Sequence, residues 1–164
     1  MSELIMAIDP GETTGWAFGR ASTQRFKLEA HGEIVVADLK GFTAVLDTVK
    51  YHEYLQTAFT LMEIMQELHP SVVIIEDFVL RQFTTMKQEG ISPARIGAML
   101  MVWLYEIMPH EKGFADLRVV WQTPSQMAVI NNERLKALGL YQRGFPHACD
   151  AIRHCEVYRR KMSS

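Results

Sequence analysis

The chain has few cysteines, no long apolar run and little net charge. Only two of its 164 residues are cysteine, too few for the disulfide scaffolds that small secreted domains use. No apolar run approaches the roughly 20 residues that a membrane-spanning helix needs. The first residues also lack the basic and apolar segments of a signal peptide. We therefore expect a soluble, intracellular protein in the cytoplasm.

The two cysteines, Cys149 and Cys155, lie six residues apart. On one helix this separation places their Cα atoms about 9 Å apart, beyond the roughly 7 Å limit for a disulfide. Neither has an obvious base that would activate it. We predict two reduced thiols that pack in the core.

Length and composition favour one globular domain. A chain of 164 residues falls within the usual range of roughly 100 to 200 residues for a domain. A hydrophobic content of 48% argues against intrinsic disorder. Because no internal repeat, low-complexity tract or boundary interrupts the sequence, we expect a single domain over residues 1–164.

The net charge of −2 does not indicate a nucleic-acid partner, but the charges are unevenly distributed. Residues 1–116 carry 9 Lys and Arg against 16 Asp and Glu, whereas residues 117–164 carry 8 against 3. The last segment therefore has a net charge of +5 and is suited to phosphate contacts. A solvated helical tail explains the charge equally well. The basic residues concerned include Arg134, Lys136, Arg143, Arg153, Arg159, Arg160 and Lys161.

The predicted elements follow the order of three strands, a helix, a strand, a helix, a strand and further helices. Strands joined by helices favour parallel neighbours, and three leading strands favour an antiparallel meander. We predict an α/β fold with a five-stranded mixed sheet, its first three strands antiparallel, and helices on both faces. The predicted strands are 3–9, 14–20, 25–36 (broken near Gly32), 71–77 and 117–121, and the predicted helices about 41–69, 92–108, one starting near 123, and 147–162.

Acidic groups stand at the ends of two strands that we expect to be neighbours. Asp9 ends the first strand and Glu76 the fourth, while His147 and Asp150 open the last helix on one face. Converging acidic side chains repel one another unless cations lie between them, and oxygen ligands suit Mg²⁺ or Mn²⁺. Two such ions can activate a water and stabilise the leaving oxygen in phosphodiester hydrolysis.

Together these residues resemble those of RuvC-type Holliday-junction resolvases, which belong to the RNase H-like superfamily. The opening Ile8-Asp9-Pro10-Gly11, followed by Thr14-Gly15-Trp16, is similar to the first strand end of that family. The segment His147-Ala148-Cys149-Asp150 is similar to its last acidic motif, in which some members have Asp and others His at the first position. The resemblance covers essentially the whole chain, and Trp121 to Gln126 looks most like phage-encoded members.

The resemblance implies an RNase H-like fold and a metal-dependent endonuclease that resolves Holliday junctions or other branched DNA. It implies that Asp9 bridges two ions, Mg²⁺ or Mn²⁺, and that Glu76, His147 and Asp150 complete their shells. It further implies a homodimer on a four-way junction and no nucleotide cofactor. The helix at 92–108 is apolar almost all round, which is typical of burial on more than one side, either in the core or at a dimer interface.

The resemblance also implies that DNA is contacted by the segment after Glu76. There Phe83 is expected to stack on an unpaired base, while Arg81 and Lys87 meet phosphates. Phe78 is a second stacking candidate or a core residue. Arg134, Lys136 and Arg143 are candidate phosphate contacts in the basic C-terminal segment.

One departure from the family concerns the helix after the fifth strand. Bacterial resolvases carry lysines on and near it, but this chain has no lysine from Ser125 until Lys136. Weaker stabilisation of transition-state charge, or looser specificity for junctions, would follow. A broader nuclease that also cuts flaps is therefore an alternative, as is a junction-binding protein without catalysis.

Several assignments have rivals. Asp77 and Glu76 point to opposite faces of a strand, so only one of them can join Asp9. His147 is either a metal ligand or a helix cap. A Zn²⁺ site formed by His147, Asp150 and His154 is a further alternative, and a structural or supporting role for His154 is another.

An actin-like nucleotide-binding domain would place Asp9, Thr13 and Thr14 around ATP phosphates. Such proteins clamp the nucleotide between two similar domains. The chain is too short for two of them, and no second glycine-rich phosphate loop occurs in it. This alternative is therefore disfavoured.

Overall fold

A five-stranded mixed sheet organises the protein. The computed structural model describes residues 2–35, 49–77, 92–111 and 113–163. The strands are β1 (Ser2–Asp9), β2 (Thr13–Ser22), β3 (Phe26–Val35), β4 (Val72–Glu76) and β5 (Arg118–Gln122). The helices are α1 (Val49–Leu68), α2 (Ser92–Val102), α3 (Pro124–Met127), α4 (Asn132–Ala137) and α5 (Pro146–Lys161), and α2 continues as a π-helical turn (Trp103–Ile107) and a 3₁₀ turn (Met108–His110).

The strand order is β3-β2-β1-β4-β5. The first three strands pair antiparallel, and β1, β4 and β5 run parallel to one another. Val72 to Ile75 of β4 are fully buried, as expected for a β-branched run covered on both faces of a sheet. The predicted mixed sheet with an antiparallel first half is confirmed.

The two faces of the sheet bury separate cores. Met6 and Ile8 of β1 pack with α1 and α2, whereas Ile5 and Ala7 pack with α5. The alternation follows from the period of two in a strand. Cys149 and Cys155 are free thiols buried in the core beside α5, so their predicted packing role is confirmed, and burial raises the pKa of the Cys155 thiol.

Two predicted details were wrong. β3 runs unbroken past Gly32, which faces the Trp16 indole so closely that a Cβ would lie 2.8 Å from its nitrogen. The pairing with β2 instead shifts register between Phe18 and Gly19, opposite which Glu29 of β3 is the extra residue. The fifth strand begins at Arg118 and ends at Gln122, one residue later than predicted.

The helix predicted over 92–108 is not buried all round. Ile96 and Leu100 face the core, but Met101, Val102 and Ile107 are 46%, 60% and 47% exposed. An apolar strip on α2 and its π-helical extension therefore faces solvent in the monomer. Of the first predicted helix, residues 41–48 lie outside the described residues.

In the described part of the chain, no helix combines the length and the apolar character needed to cross a membrane.

Candidate metal centre

Asp9, His147 and Asp150 come together at the end of β1. One ligand atom from each lies within 4.8 Å of the others, and His147 Nδ1 is 3.8 Å from Asp9 Oδ2. All three side chains are partly buried at the rim of the sheet. Three of the four residues predicted from the sequence as metal ligands are thus neighbours.

A tight turn after Pro10 fixes the position of Asp9. The Thr14 hydroxyl donates to the Gly11 carbonyl at 3.0 Å and accepts from the Gly11 N–H at 3.2 Å. Because Thr14 is fully buried, its hydroxyl closes the turn instead of facing a ligand. Asp9 continues the face of Ile5 and Ala7 that packs against α5.

The N-terminus of α5 is held by two residues of the antiparallel strands. The Glu33 carboxylate accepts from the N–H groups of His147 and Ala148 at 2.7 and 3.1 Å, where a helix has unsatisfied donors and a positive dipole end. Gly15 allows the helix to approach, because a Cβ there would lie 2.0 Å from the His147 carbonyl oxygen. Asp9 pairs with Gly15, and Gly15 with Glu33, so the three form one row across the sheet.

This arrangement decides the role of His147 in the helix. Its backbone is capped by Glu33, while its side chain lies beside Asp9. The alternative in which the His147 side chain caps the helix is therefore wrong.

Glu76 lies beside this cluster rather than within it. The parallel register pairs Ile8 with Ile75, so Glu76 follows at the level of Asp9 on the next strand. It continues the face of Val72 and Ile74 that packs against α5. Asp77 is exposed, and its N–H donates to the Gln122 carbonyl at 2.8 Å. Of the two adjacent acids, Glu76 is the one that faces the helix.

The Glu76 carboxylate forms a hydrogen bond with His154. Its Oε2 lies 2.9 Å from His154 Nε2, and the Gln122 Oε1 lies 2.8 Å from His154 Nδ1. Since both ring nitrogens are engaged, His154 is not free to join His147 and Asp150. The three-residue zinc site is therefore wrong, and the structural alternative for His154 agrees with these contacts.

Arg153 forms an ion pair with Asp150 and donates to the Asn132 side chain. The sequence predicts Arg153 to be one of the possible phosphate contacts of the C-terminal segment. It lies instead at the candidate metal centre, where it partly offsets the carboxylates. Its position three residues after Asp150 is a usable sequence signal, since such residues share a helix face.

The carboxylates perturb one another. Burial and the charges of Glu76 and Glu33 together raise the pKa of Asp9 from 3.8 to about 7, and the charge of Arg153 opposes them. Among the described residues, this site has four acidic side chains and one neighbouring arginine, so negative charge is in excess. The acidic residues are Asp9, Glu33, Glu76 and Asp150, and the arginine is Arg153. A bound cation would relieve that excess.

The candidate DNA contacts are distributed differently. Arg134 lines an open cleft of about 470 Å³ together with Arg25, Lys27 and Arg159, near the end of α5 that is remote from Asp9. Lys136 Nζ lies 5.0 Å from the centre of the Tyr141 ring. Arg143 is exposed in the loop before α5. Phe78, Arg81, Phe83 and Lys87 lie outside the described residues.

Two further basic residues are not free for phosphate. Arg159 and Arg160 both bind the Glu156 carboxylate, which is almost fully buried. The net charge of +5 in the C-terminal segment therefore overstates the cations available to DNA.

The fold is shared with solved structures of resolvases. RuvC of Thermus thermophilus, solved in complex with a Holliday junction substrate, is 16% identical over 98% of this chain and 97% of its own, with a TM-score of 0.65. The yeast mitochondrial Holliday junction resolvase is 12% identical over 97% of this chain and 78% of its own, with a TM-score of 0.68. No protein-family model and no curated protein matches the chain in sequence. At these identities the likeness establishes the architecture: the chain has the RuvC-like RNase H fold.

Proposed function

We propose that the protein is a metal-dependent endonuclease that resolves Holliday junctions by hydrolysing phosphodiester bonds. The observation that carries the proposal is the meeting of Asp9, His147 and Asp150 within 4.8 Å, with Glu76 on the adjacent strand. Carboxylate oxygens with one imidazole suit Mg²⁺ or Mn²⁺. The shared fold with resolvases supports branched DNA as the substrate.

In this proposal Asp9, Glu76, His147 and Asp150 would hold the ions. The ions would supply an activated water and a counter-charge for the leaving oxygen. The protein's own part is to hold these side chains rigidly. The row of Asp9, Gly15 and Glu33 fixes the strand end against the helix, and Asp9 must lose its proton before it can bind a cation.

Phosphate contacts are proposed for Arg134, Lys136 and Arg143, all of which are exposed. Arg25 and Lys27 line the same cleft as Arg134. Within the described residues, no ion pair joins Arg25, Lys27 or Arg134 to a carboxylate.

From His147 to Arg159, α5 rises about 18 Å. A DNA arm along this helix would reach both the metal centre and the cleft. For the centre of the junction we retain Arg81, Phe83 and Lys87 as proposed contacts.

We also propose that the protein acts as a homodimer. A four-way junction has two-fold symmetry, and paired nicks need two sites facing it. The exposed apolar strip of Met101, Val102 and Ile107 supplies a surface suited to pairing of two copies. The mass of the protein in solution, measured by light scattering, tests this directly.

The test of function is cleavage of a labelled, mobile four-way DNA junction in Mg²⁺ or Mn²⁺. Linear duplex and a flap serve as control substrates, and Asp9→Asn is compared with Asp77→Asn, whose exposed carboxylate lies outside the cluster. We expect paired, symmetric nicks in the junction, lost in Asp9→Asn and kept in Asp77→Asn.

Other outcomes identify the alternatives. Equal cutting of flaps would favour a broader structure-selective nuclease, which the missing lysines between Ser125 and Lys136 also favour. Tight junction binding without cleavage in either metal would overturn the enzymatic proposal and leave a junction-binding protein.

A further inference from the structure

We propose that His154 and Gln122 are positioning residues that orient Glu76 toward the metal centre. The inference rests on the proposed function, because it concerns the support of a metal ligand. His154 is fully buried on α5, and its Nε2 meets Glu76 Oε2 at 2.9 Å. Its other nitrogen meets Gln122 Oε1 at 2.8 Å, and Gln122 is the fully buried last residue of β5.

The direction of the hydrogen bond to Glu76 does not depend on how the Gln122 amide is oriented. With Oε1 toward the ring, His154 donates from both nitrogens. With the amide turned over, Gln122 donates to Nδ1, and Nε2 still carries a proton. Because a carboxylate that binds a cation is ionised and can only accept, Nε2–H donates to Glu76 in both cases. One Glu76 oxygen is thereby fixed, and the other remains available to a cation.

The contact links the two elements α5 and β4, which carry candidate ligands, to β5. His154 lies one turn after Asp150 and two turns after His147 on α5, whereas Glu76 ends β4. The bond between His154 and Glu76 therefore sets the separation of the strand from the helix at the metal centre. Gln122, the last residue of β5, is hydrogen-bonded to the same imidazole ring.

Burial among apolar neighbours makes a polar side chain at the position of His154 destabilising. Its neighbours on α5, Ala151, Ile152 and Cys155, are buried apolar residues. A buried polar group that lacks a hydrogen bond destabilises the fold, so an apolar residue would pack here without needing a partner. The second observation is the Gln122 amide nitrogen, which is buried and has no hydrogen-bond partner within the described residues. As placed, the core thus holds the imidazole against Glu76 although a buried amide nitrogen beside it is left without a partner.

The test measures metal binding separately from stability and from DNA binding. His154→Leu removes the donor at similar bulk, and His154→Gln retains an amide donor. For each variant, Mn²⁺ binding to the DNA-free protein is measured by calorimetry, and the Mg²⁺ concentration for half-maximal junction cutting by kinetics. Junction affinity in EDTA and thermal unfolding complete the set. Val157→Ala, a buried apolar truncation on the same helix, is the matched control.

For His154→Leu we expect the Mn²⁺ dissociation constant and the Mg²⁺ requirement to rise about 10- to 100-fold, the usual effect of losing a residue that orients a ligand. Junction affinity in EDTA should stay unchanged, and His154→Gln should recover most of the loss. Gln122→Leu should shift both quantities less, in the same direction. Val157→Ala should lower the unfolding temperature without altering either quantity.

The outcomes separate the inference from the proposed function. Wild-type metal dependence in His154→Leu, in a protein that cuts junctions, would overturn the positioning role alone. Weakened Mn²⁺ binding in His154→Leu, in a protein that never cuts DNA, would support the positioning role and overturn the proposed nuclease. If His154→Leu does not fold, unchanged Mn²⁺ binding in Gln122→Leu would overturn the inference.

Discussion

The two ends of α5 hold charge in opposite ways. At the N-terminus Asp9, Glu33 and Asp150 surround the helix, with Arg153 as the neighbouring cation. At the C-terminus the signs are reversed, because one buried carboxylate, Glu156, is enclosed by two arginines. Both ends obey the helix dipole, which favours anions at the start of a helix and cations at its end.

What separates the two ends is whether the charges are neutralised. Glu156 receives hydrogen bonds from Arg159 at 2.8 Å through two nitrogens and from Arg160 at 3.2 Å. At the other end, burial and the charges of Glu76 and Glu33 raise the pKa of Asp9 to about 7. We infer that the C-terminal end of α5, where Glu156 is paired with two arginines, stabilises the fold. The N-terminal end, where negative charge is in excess, would bind a cation.

The largest expected effect on stability comes from Glu156 at the C-terminal end of α5. Glu156→Ala would leave Arg159 and Arg160 without their carboxylate, and breaking a buried pair costs about 3–5 kcal/mol. Because both arginines are partly exposed, we expect a loss near the lower end, about 3 kcal/mol in the free energy of unfolding by urea. The rate of junction cutting per folded molecule should remain that of the wild type.

The matched control for this prediction is Glu29→Ala. Glu29 pairs with Arg20 at 3.7 Å on the surface, and exposed pairs contribute about 0–1 kcal/mol. An equal loss of stability in the two variants would show that the Glu156 cluster is no more than a surface pair. The comparison between the two ends of the helix would then fail.

Gly15 tests how closely α5 must approach the sheet. In Gly15→Ala the new Cβ would lie 2.0 Å from the His147 carbonyl oxygen, so the start of the helix must move. Overpacking of this kind costs about 1–3 kcal/mol, and a displacement of about 1 Å at a reacting centre costs about 100-fold in rate. We therefore expect a moderate loss of stability and a large loss of junction cutting.

Gly97→Ala is the control, because nothing lies within 4 Å of a Cβ at that helical position. Alanine is favoured over glycine inside a helix by about 0.5–1 kcal/mol. That variant should be slightly more stable and fully active. Normal cutting by Gly15→Ala would mean that the row of Asp9, Gly15 and Glu33 does not position the metal centre.

The sequence predicted the elements of the candidate site that depend on local pattern. Asp9 and Glu76 end apolar strands, and parallel pairing of those strands places strand ends together. His147 and Asp150 share a helix face because they are three residues apart. Periodicity and one pairing rule placed these residues together, and the sheet confirms the pairing of the strands. The choice of Glu76 over Asp77 came from the resemblance to RuvC-type resolvases.

Other parts depend on contacts between residues that are distant in the chain. Glu33 lies 114 residues before His147, and Glu76 lies 78 before His154, so no local pattern joins them. Gly15 carried a partial signal, since a glycine inside a strand often marks a close approach of another backbone. A sum of charges along the sequence takes no account of ion pairs, so it does not show that Arg159 and Arg160 are paired with Glu156.

Asp9→Asn tests the end of the helix that carries unneutralised charge. Between about pH 4 and 7 the folded protein holds a proton on Asp9, whose pKa is about 7, that the unfolded chain has released. The stability due to this raised pKa is therefore complete below about pH 4 and is lost as the pH rises through 7. Asparagine resembles the protonated acid, so the variant should match the wild type at pH 4 and exceed it by about 1–2 kcal/mol at pH 8 in EDTA.

The measurement is urea unfolding of both proteins from pH 4 to 8, with Asp77→Asn as the control for an exposed carboxylate. Adding Mg²⁺ at pH 8 should stabilise the wild type and not Asp9→Asn, because a ligand that binds only the folded state shifts the equilibrium by mass action. Parallel pH profiles for wild type and Asp9→Asn would mean that burial and the neighbouring charges do not raise the pKa of Asp9. A gain in stability at pH 8 together with lost junction cutting would instead show that the protein retains an unfavourable buried charge because its reaction needs one.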